Sequence, residues 1–106
     1  MLKLFFAAIL GLAPADESVY IFGASWCGPC RNLESALKDD AGLKAEIATF
    51  RECKHFDFDN DRPLFNRYLV DRFPTVIVVN REGNQVRRMV GYTSPGPLLR
   101  FLRNER

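Results

Sequence analysis

The run Thr75-Val76-Ile77-Val78-Val79 constrains the fold more than any other stretch of this chain. Five consecutive β-branched residues leave no charged face for solvent, so the run predicts a central strand covered on both faces of a sheet. The neighbouring segments supply elements to cover it. Residues 18–25 read as a strand rich in β-branched and aromatic side chains. From Cys27 onward Leu33, Ala36 and Leu37 recur at helical spacing, with Gly42 as the expected stop. Residues 47–59 predict a second strand, with Phe50, Phe56 and Phe58 in phase at even positions. Residues 60–70 predict a second helix, capped by Asn60 or Asp61, opened by Pro63 and striped by Leu64, Phe65, Tyr68 and Leu69. After the central run come a turn over 80–84 and a less cleanly alternating strand over 85–92. A short amphipathic helix then starts after Ser94, carrying Leu98, Leu99, Phe101 and Leu102. The order β-α-β-α-β-β-α predicts an α/β fold with helices on both faces of the sheet.

The 106 residues suffice for one domain, and 47% apolar against 26% charged side chains describe a globular chain. A net charge of +2 gives no strong pull toward nucleic acid, and no such partner is expected. The mild cluster of Arg87, Arg88, Arg100, Arg103 and Arg106 reads as a solvated face. Residues 1–15 stand apart as an N-terminal apolar extension. Lys3, an apolar run from Leu4 to Ala13 and the small-x-small pattern Ala13-Pro14-Ala15 have the layout of a secretory signal. The run falls well short of the roughly 20 residues of a membrane-spanning helix, so no stable membrane insertion is expected. A buried first helix is the alternative, although Leu4 to Ala15 shows no polar face. The expected division is a signal-like or helical segment over 1–15 and one domain over 16–106. A periplasmic or otherwise extracytoplasmic location follows from the signal reading; a cytoplasmic one is the alternative.

Three cysteines are too few for a disulfide scaffold, and an odd number leaves one unpaired in a monomer. A crosslink between Cys27 and Cys30 closes too short a ring to restrict the unfolded chain much. The pair is therefore better suited to chemistry than to stabilisation. A strand ending near Ala24 and a helix beginning near Cys27 put the first sulfur where free amides and the helix dipole favour an anion. That lowers the thiol pKa below its usual ~8.5 and raises the fraction of thiolate, the attacking species. Cys30, one turn later, shares the helical face and is placed to resolve a mixed disulfide. Pro29 stiffens the turn, Gly28 permits close approach of another chain, and Trp26 offers either an apolar wall beside the sulfur or ordinary core packing.

Trp26-Cys27-Gly28-Pro29-Cys30, followed by Phe73-Pro74-Thr75 and Val90-Gly91-Tyr92, resembles the thioredoxin superfamily from Ser18 to about Arg103. The resemblance implies the thioredoxin fold, a central mixed four-stranded sheet flanked by helices. It also implies a thiol-disulfide oxidoreductase whose redox-active centre is the Cys27–Cys30 couple, with no other cofactor and no metal. It implies a cis-proline at Pro74 facing the dithiol, a substrate-binding backbone at Phe73, and room for that substrate at Gly91. Two departures stand out. The family's buried aspartate, five residues before the motif tryptophan, is replaced by Ile21, and a family lysine on the strand before the second helix by His55. Histidine titrates near neutrality, so His55 is a candidate acid–base group for Cys30, or else an ordinary strand histidine. The segment over 33–47 is similar to thioredoxin-like periplasmic reductase domains. Gly-Pro between the cysteines resembles reductants rather than oxidants. The expected partners are disulfide-containing client proteins and an upstream dithiol donor, with the chain acting as a monomer.

Two rival readings start from the same cysteines. Cys27, Cys30, Cys53 and His55 are ligand types suited to tetrahedral zinc, although zinc modules hold them on tight turns in poor cores. A non-enzymatic thioredoxin-like binding module is the other, although such modules commonly lose a motif cysteine and this chain keeps both. Cys53 by itself reads as a small apolar strand residue, with a third redox thiol as the minor alternative.

Overall fold

The computed structural model describes residues 16–105. Expectations for residues 1–15, both the signal-like segment and the domain boundary beside it, lie outside those residues. Strands β1 (Ser18–Gly23), β2 (Glu52–Asp57), β3 (Thr75–Val79) and β4 (Gln85–Val90) form one mixed sheet in the order β2-β1-β3-β4. β1 runs parallel to β2 and antiparallel to β3, and β3 is antiparallel to β4. The helices are α1 (Gly28–Asp39), α2 (Ala41–Ile47), α3 (Arg62–Arg67) and α4 (Pro95–Leu102). Every residue of β3 is buried, as its unbroken apolar run predicts. Val76 and Val78 face one core with Val19, Ile21, Leu33, Leu43, Leu98 and Leu102. Ile77 and Val79 face the other, with Phe22, Phe65, Tyr68 and Val70. Helices α1, α2 and α4 therefore cover one face and α3 the other.

Four local expectations change. The helix expected over 60–70 stops at Arg67, and Leu69, expected on its apolar stripe, takes φ +54° beyond the C-cap Tyr68 and is exposed, because the left-handed turn swings its side chain off the helix face. The first helix ends at Asp40 instead of Gly42, and α2 follows at once. Asp40 adopts an extended backbone (φ −85°, ψ 117°), and its Oδ1 accepts the Leu43 amide at 2.9 Å. One residue thus ends a helix and caps the next, and Gly42 lies inside α2. Phe50 does not share a face with Phe56 and Phe58, because residues 48–51 form a turn ahead of β2 and break the two-residue period. Phe50 packs in the core under α1, α2 and α4, and the other two in the core under α3. Asp61 occupies the N-cap position of α3 without capping it; its Oδ2 accepts the Asp57 amide at 2.9 Å instead.

The basic cluster is largely engaged within the fold. Arg87 donates to the Phe101 and Leu102 carbonyls at 3.0 and 2.8 Å at the end of α4. Arg88 donates to the carbonyls of Tyr68 and Leu69, and Arg103 pairs with Glu46 at 3.2 Å. Among the described residues no helix is long and apolar enough to cross a membrane.

Candidate active site

The two motif cysteines come together where β1 gives way to α1. The Ala24 carbonyl accepts the Cys27 amide at 3.1 Å, turning the chain into the helix. Cys27 is the N-cap residue of α1, with an extended backbone (φ −93°, ψ 116°) and Pro29 in the first turn. Its sulfur accepts the Cys30 amide at 3.2 Å, one of the four amides that a helix leaves without a partner. Such a donor, at the positive end of a 12-residue helix, is the stabilisation that a sulfur anion needs. Cys27 and Cys30 are joined as a disulfide, with Cα atoms 5.2 Å apart. Both are nearly covered, at 8% and 6% exposure, and pack with Ala24, Phe58 and Phe73. A sulfur held in so apolar a shell depends on that directed amide, since burial alone disfavours the anion.

The surrounding candidates assemble on two sides. Outside the disulfide, Trp26 is 61% exposed and meets Phe73 edge-on, with ring centroids 5.8 Å apart. That exposure is not ordinary core packing. The Phe73–Pro74 peptide bond is cis, and the Pro74 carbonyl accepts the Gly91 amide at 2.7 Å. Gly91 takes φ +88°, a conformation that disfavours side chains, while a Cβ built there meets nothing within 4 Å. The backbone conformation alone favours glycine at 91, and the open space beside it leaves room for another chain. Gly28 likewise has open space around it.

Behind the disulfide lies a cavity of about 210 Å³, lined by residues including Cys30, Ile21, Glu34, His55, Asp57 and Pro74. His55 thus reaches the compartment of Cys30, but its ring nitrogens meet other groups. Nδ1 lies 2.8 Å from Glu34 Oε1, and Nε2 lies 3.8 Å from Cys53 Sγ. Cys53 is half-buried; burial first, and the Glu34 carboxylate second, push its thiol up to about 11. It stays protonated at neutral pH, which suits an apolar strand residue and not a third redox thiol. The zinc arrangement is not built: among the described residues no three His, Cys, Asp or Glu side chains are grouped to hold a metal ion.

Two residues of the site escape a reading by motif. Gly23, at the end of β1, leaves the space that Cys30 fills: a Cβ there would stand 3.0 Å from Cys30 Sγ. Its position just ahead of the turn was the available signal. Glu34 sits one helical turn after Cys30, a spacing visible in the sequence but without meaning until the cavity is known.

The family model described as a thioredoxin-like domain matches residues 12–105. Thioredoxin H2-2 of Oryza sativa subsp. japonica is 37% identical over 78 residues, covering 74% of this chain and 54% of the rice protein. A thioredoxin of Mycobacterium bovis is 33% identical over 81 residues, or 76% of this chain and 66% of that protein. The chain thus spans between about half and two thirds of these relatives' length. Fasciola hepatica thioredoxin superposes with a TM-score of 0.70 at 24% identity, over 98% of this chain and 94% of its own, a likeness of fold.

Proposed function

The chain belongs to the thioredoxin-like domain family, and from that membership we propose a protein-disulfide reductase working through a Cys27/Cys30 cycle. One observation carries the reading: the Cys27 sulfur caps a helix and accepts the Cys30 amide, while Cys30 is within bonding reach of it. The Cys27 thiolate attacks one sulfur of a client disulfide, forming a mixed disulfide and releasing the other client sulfur as a thiolate. Cys30 then attacks Cys27 Sγ, the bond from Cys27 to the client breaks, and the client's second sulfur leaves. Two electrons pass to the client, and the chain is left oxidised, with Cys27 bonded to Cys30 as in the structure. A dithiol donor restores the reduced form.

Trp26, Phe73 and Pro74 form the rim against which an extended client segment docks, and the exposed Trp26 indole supplies its apolar contact. Gly28, with open space around it, permits close approach. The site is complete within one copy of the chain, in keeping with a monomer. The names of the rice and mycobacterial relatives state no compartment and give the periplasmic placement no support; a cytoplasmic placement is the alternative.

Insulin reduction driven by dithiothreitol tests the reading. The wild type is expected to accelerate precipitation of the insulin B chain, with Cys27→Ser and Cys30→Ser at least about a hundredfold slower. Equal rates for all three would instead favour a non-enzymatic binding module.

A further inference from the structure

Cys30 must give up a proton before it attacks, and Ile21, which lines the cavity beside it on β1, has no group to take one. We propose that Glu34 accepts that proton through water in the cavity behind the dithiol, with His55 as its positioning residue. The role rests on the oxidoreductase reading and concerns its second step.

Glu34 follows Cys30 by four residues on α1, so the two side chains share a helix face one turn apart. Both line the cavity of about 210 Å³, whereas a single water needs only ~10–15 Å³ of such space. His55 pairs in register with Ile21 across the parallel strands, which places it one strand over from that apolar side chain. From there Nδ1 reaches Glu34 Oε1 at 2.8 Å. An N–H donated at that atom anchors one carboxylate oxygen and leaves the other for a proton. The cavity's second carboxylate, Asp57, lies on β2 and not on the helix face of Cys30; its Oδ2 accepts the Asp59 amide at 3.1 Å and the Asn60 side chain at 3.3 Å, and Asp57→Asn separates its contribution from that of Glu34. The remaining ionisable groups around the pair are Arg31 and Lys38 on α1, Lys44 on α2 and Cys53 on β2.

In the mixed disulfide, the Cys30 S–H proton passes to a cavity water as that water gives one to Glu34. The Cys30 sulfur bonds to Cys27 Sγ, and the bond from Cys27 to the client breaks with its electron pair on the client sulfur. Glu34 then returns its proton through solvent to the departing thiolate. No further reagent is consumed. Proton transfer of this kind, direct or through one water, is ordinary general base catalysis.

Stopped-flow reaction of the reduced protein with Ellman's reagent separates the steps. Cys27 releases the first chromophoric thiolate in a bimolecular phase, and closure by Cys30 releases the second in a concentration-independent phase. Glu34→Gln keeps an acceptor for His55 but removes the base. It is expected to slow the second phase at least about tenfold at pH 7, leave the first within twofold, and lose its deficit toward pH 9. Ile21→Asp added to Glu34→Gln is expected to restore the second phase. A second phase in Glu34→Gln equal to wild type, a deficit unchanged across pH, or a loss reproduced by Asp57→Asn alone would each overturn the role of Glu34. A wild type that releases no second thiolate would instead overturn the oxidoreductase reading, and this role with it.

Discussion

Cys27 and Cys53 carry the same side chain on the same side of neutrality in the unfolded chain, and the fold separates them. Cys27 sits at the first turn of α1, where its sulfur accepts a backbone amide. Cys53 sits within β2, opposite Val19, and packs against the core beneath α1, α2 and α4. Its polar neighbour is His55 Nε2 at 3.8 Å, and burial together with Glu34 pushes the thiol up to about 11. Both cysteines are substantially covered, so burial does not distinguish them. The direction of nearby backbone dipoles does: a helix start aims N–H groups at a sulfur, and a strand's amides lie in the plane of the sheet while its side chains stand out of it.

The largest effect that would sharpen this contrast comes from Gly23. A methyl at 3.0 Å from Cys30 Sγ is tighter than an ordinary contact and pushes the resolving sulfur by a few tenths of an ångström. Gly23→Ala is expected to slow insulin reduction about tenfold and to cost ~1–3 kcal/mol in urea unfolding. Cys53→Ala is expected to leave the reduction rate within twofold, and equal losses from both would break the contrast.

A smaller effect lies in the alkaline limb of stability. The Cys53 thiol titrates near the free-thiol value of ~8.5 when unfolded and at about 11 when folded. Between those values the folded chain holds the proton that the unfolded chain has lost, so stability falls as pH rises through that window. Tyr68 and Tyr92, both raised chiefly by burial, act in the same direction at higher pH. The Cys53 share is expected to be about 1 kcal/mol, discounted from roughly 3 kcal/mol for the whole shift at ~1.4 kcal/mol per unit because the thiol is partly solvated. Urea midpoints from pH 8 to 11 check it: Cys53→Ala should flatten the first part of the decline, and an unchanged slope would contradict the assigned surroundings of Cys53.

The elements most legible in the sequence are those whose pattern is set by burial alone. The β3 run and the stripe of α4 announce themselves because each faces a core along its length, whereas the stripe of α3 holds only through Leu64, Phe65 and the C-cap Tyr68, since the chain leaves the helix before Leu69. The α1–α2 junction is illegible by composition, since Asp40 serves two helices at once and the nearby glycine is the more obvious breaker. Phe50 is misplaced because alternation carries phase only within a continuous strand. In the site, Cys27, Cys30 and Pro74 are legible because their chemistry needs a fixed spacing or bond geometry. Glu34 and Gly23 are not, because each matters through a cavity or a close approach that only the folded chain creates.

Alkylation of the reduced protein with iodoacetamide, followed residue by residue by mass spectrometry from pH 5 to 11, tests the central claim most directly. Cys27 is expected to reach half its limiting rate clearly below pH ~8.5, the value for a free thiol, while Cys53 lags to about 11. A Cys27 midpoint at or above pH ~8.5 would contradict the account.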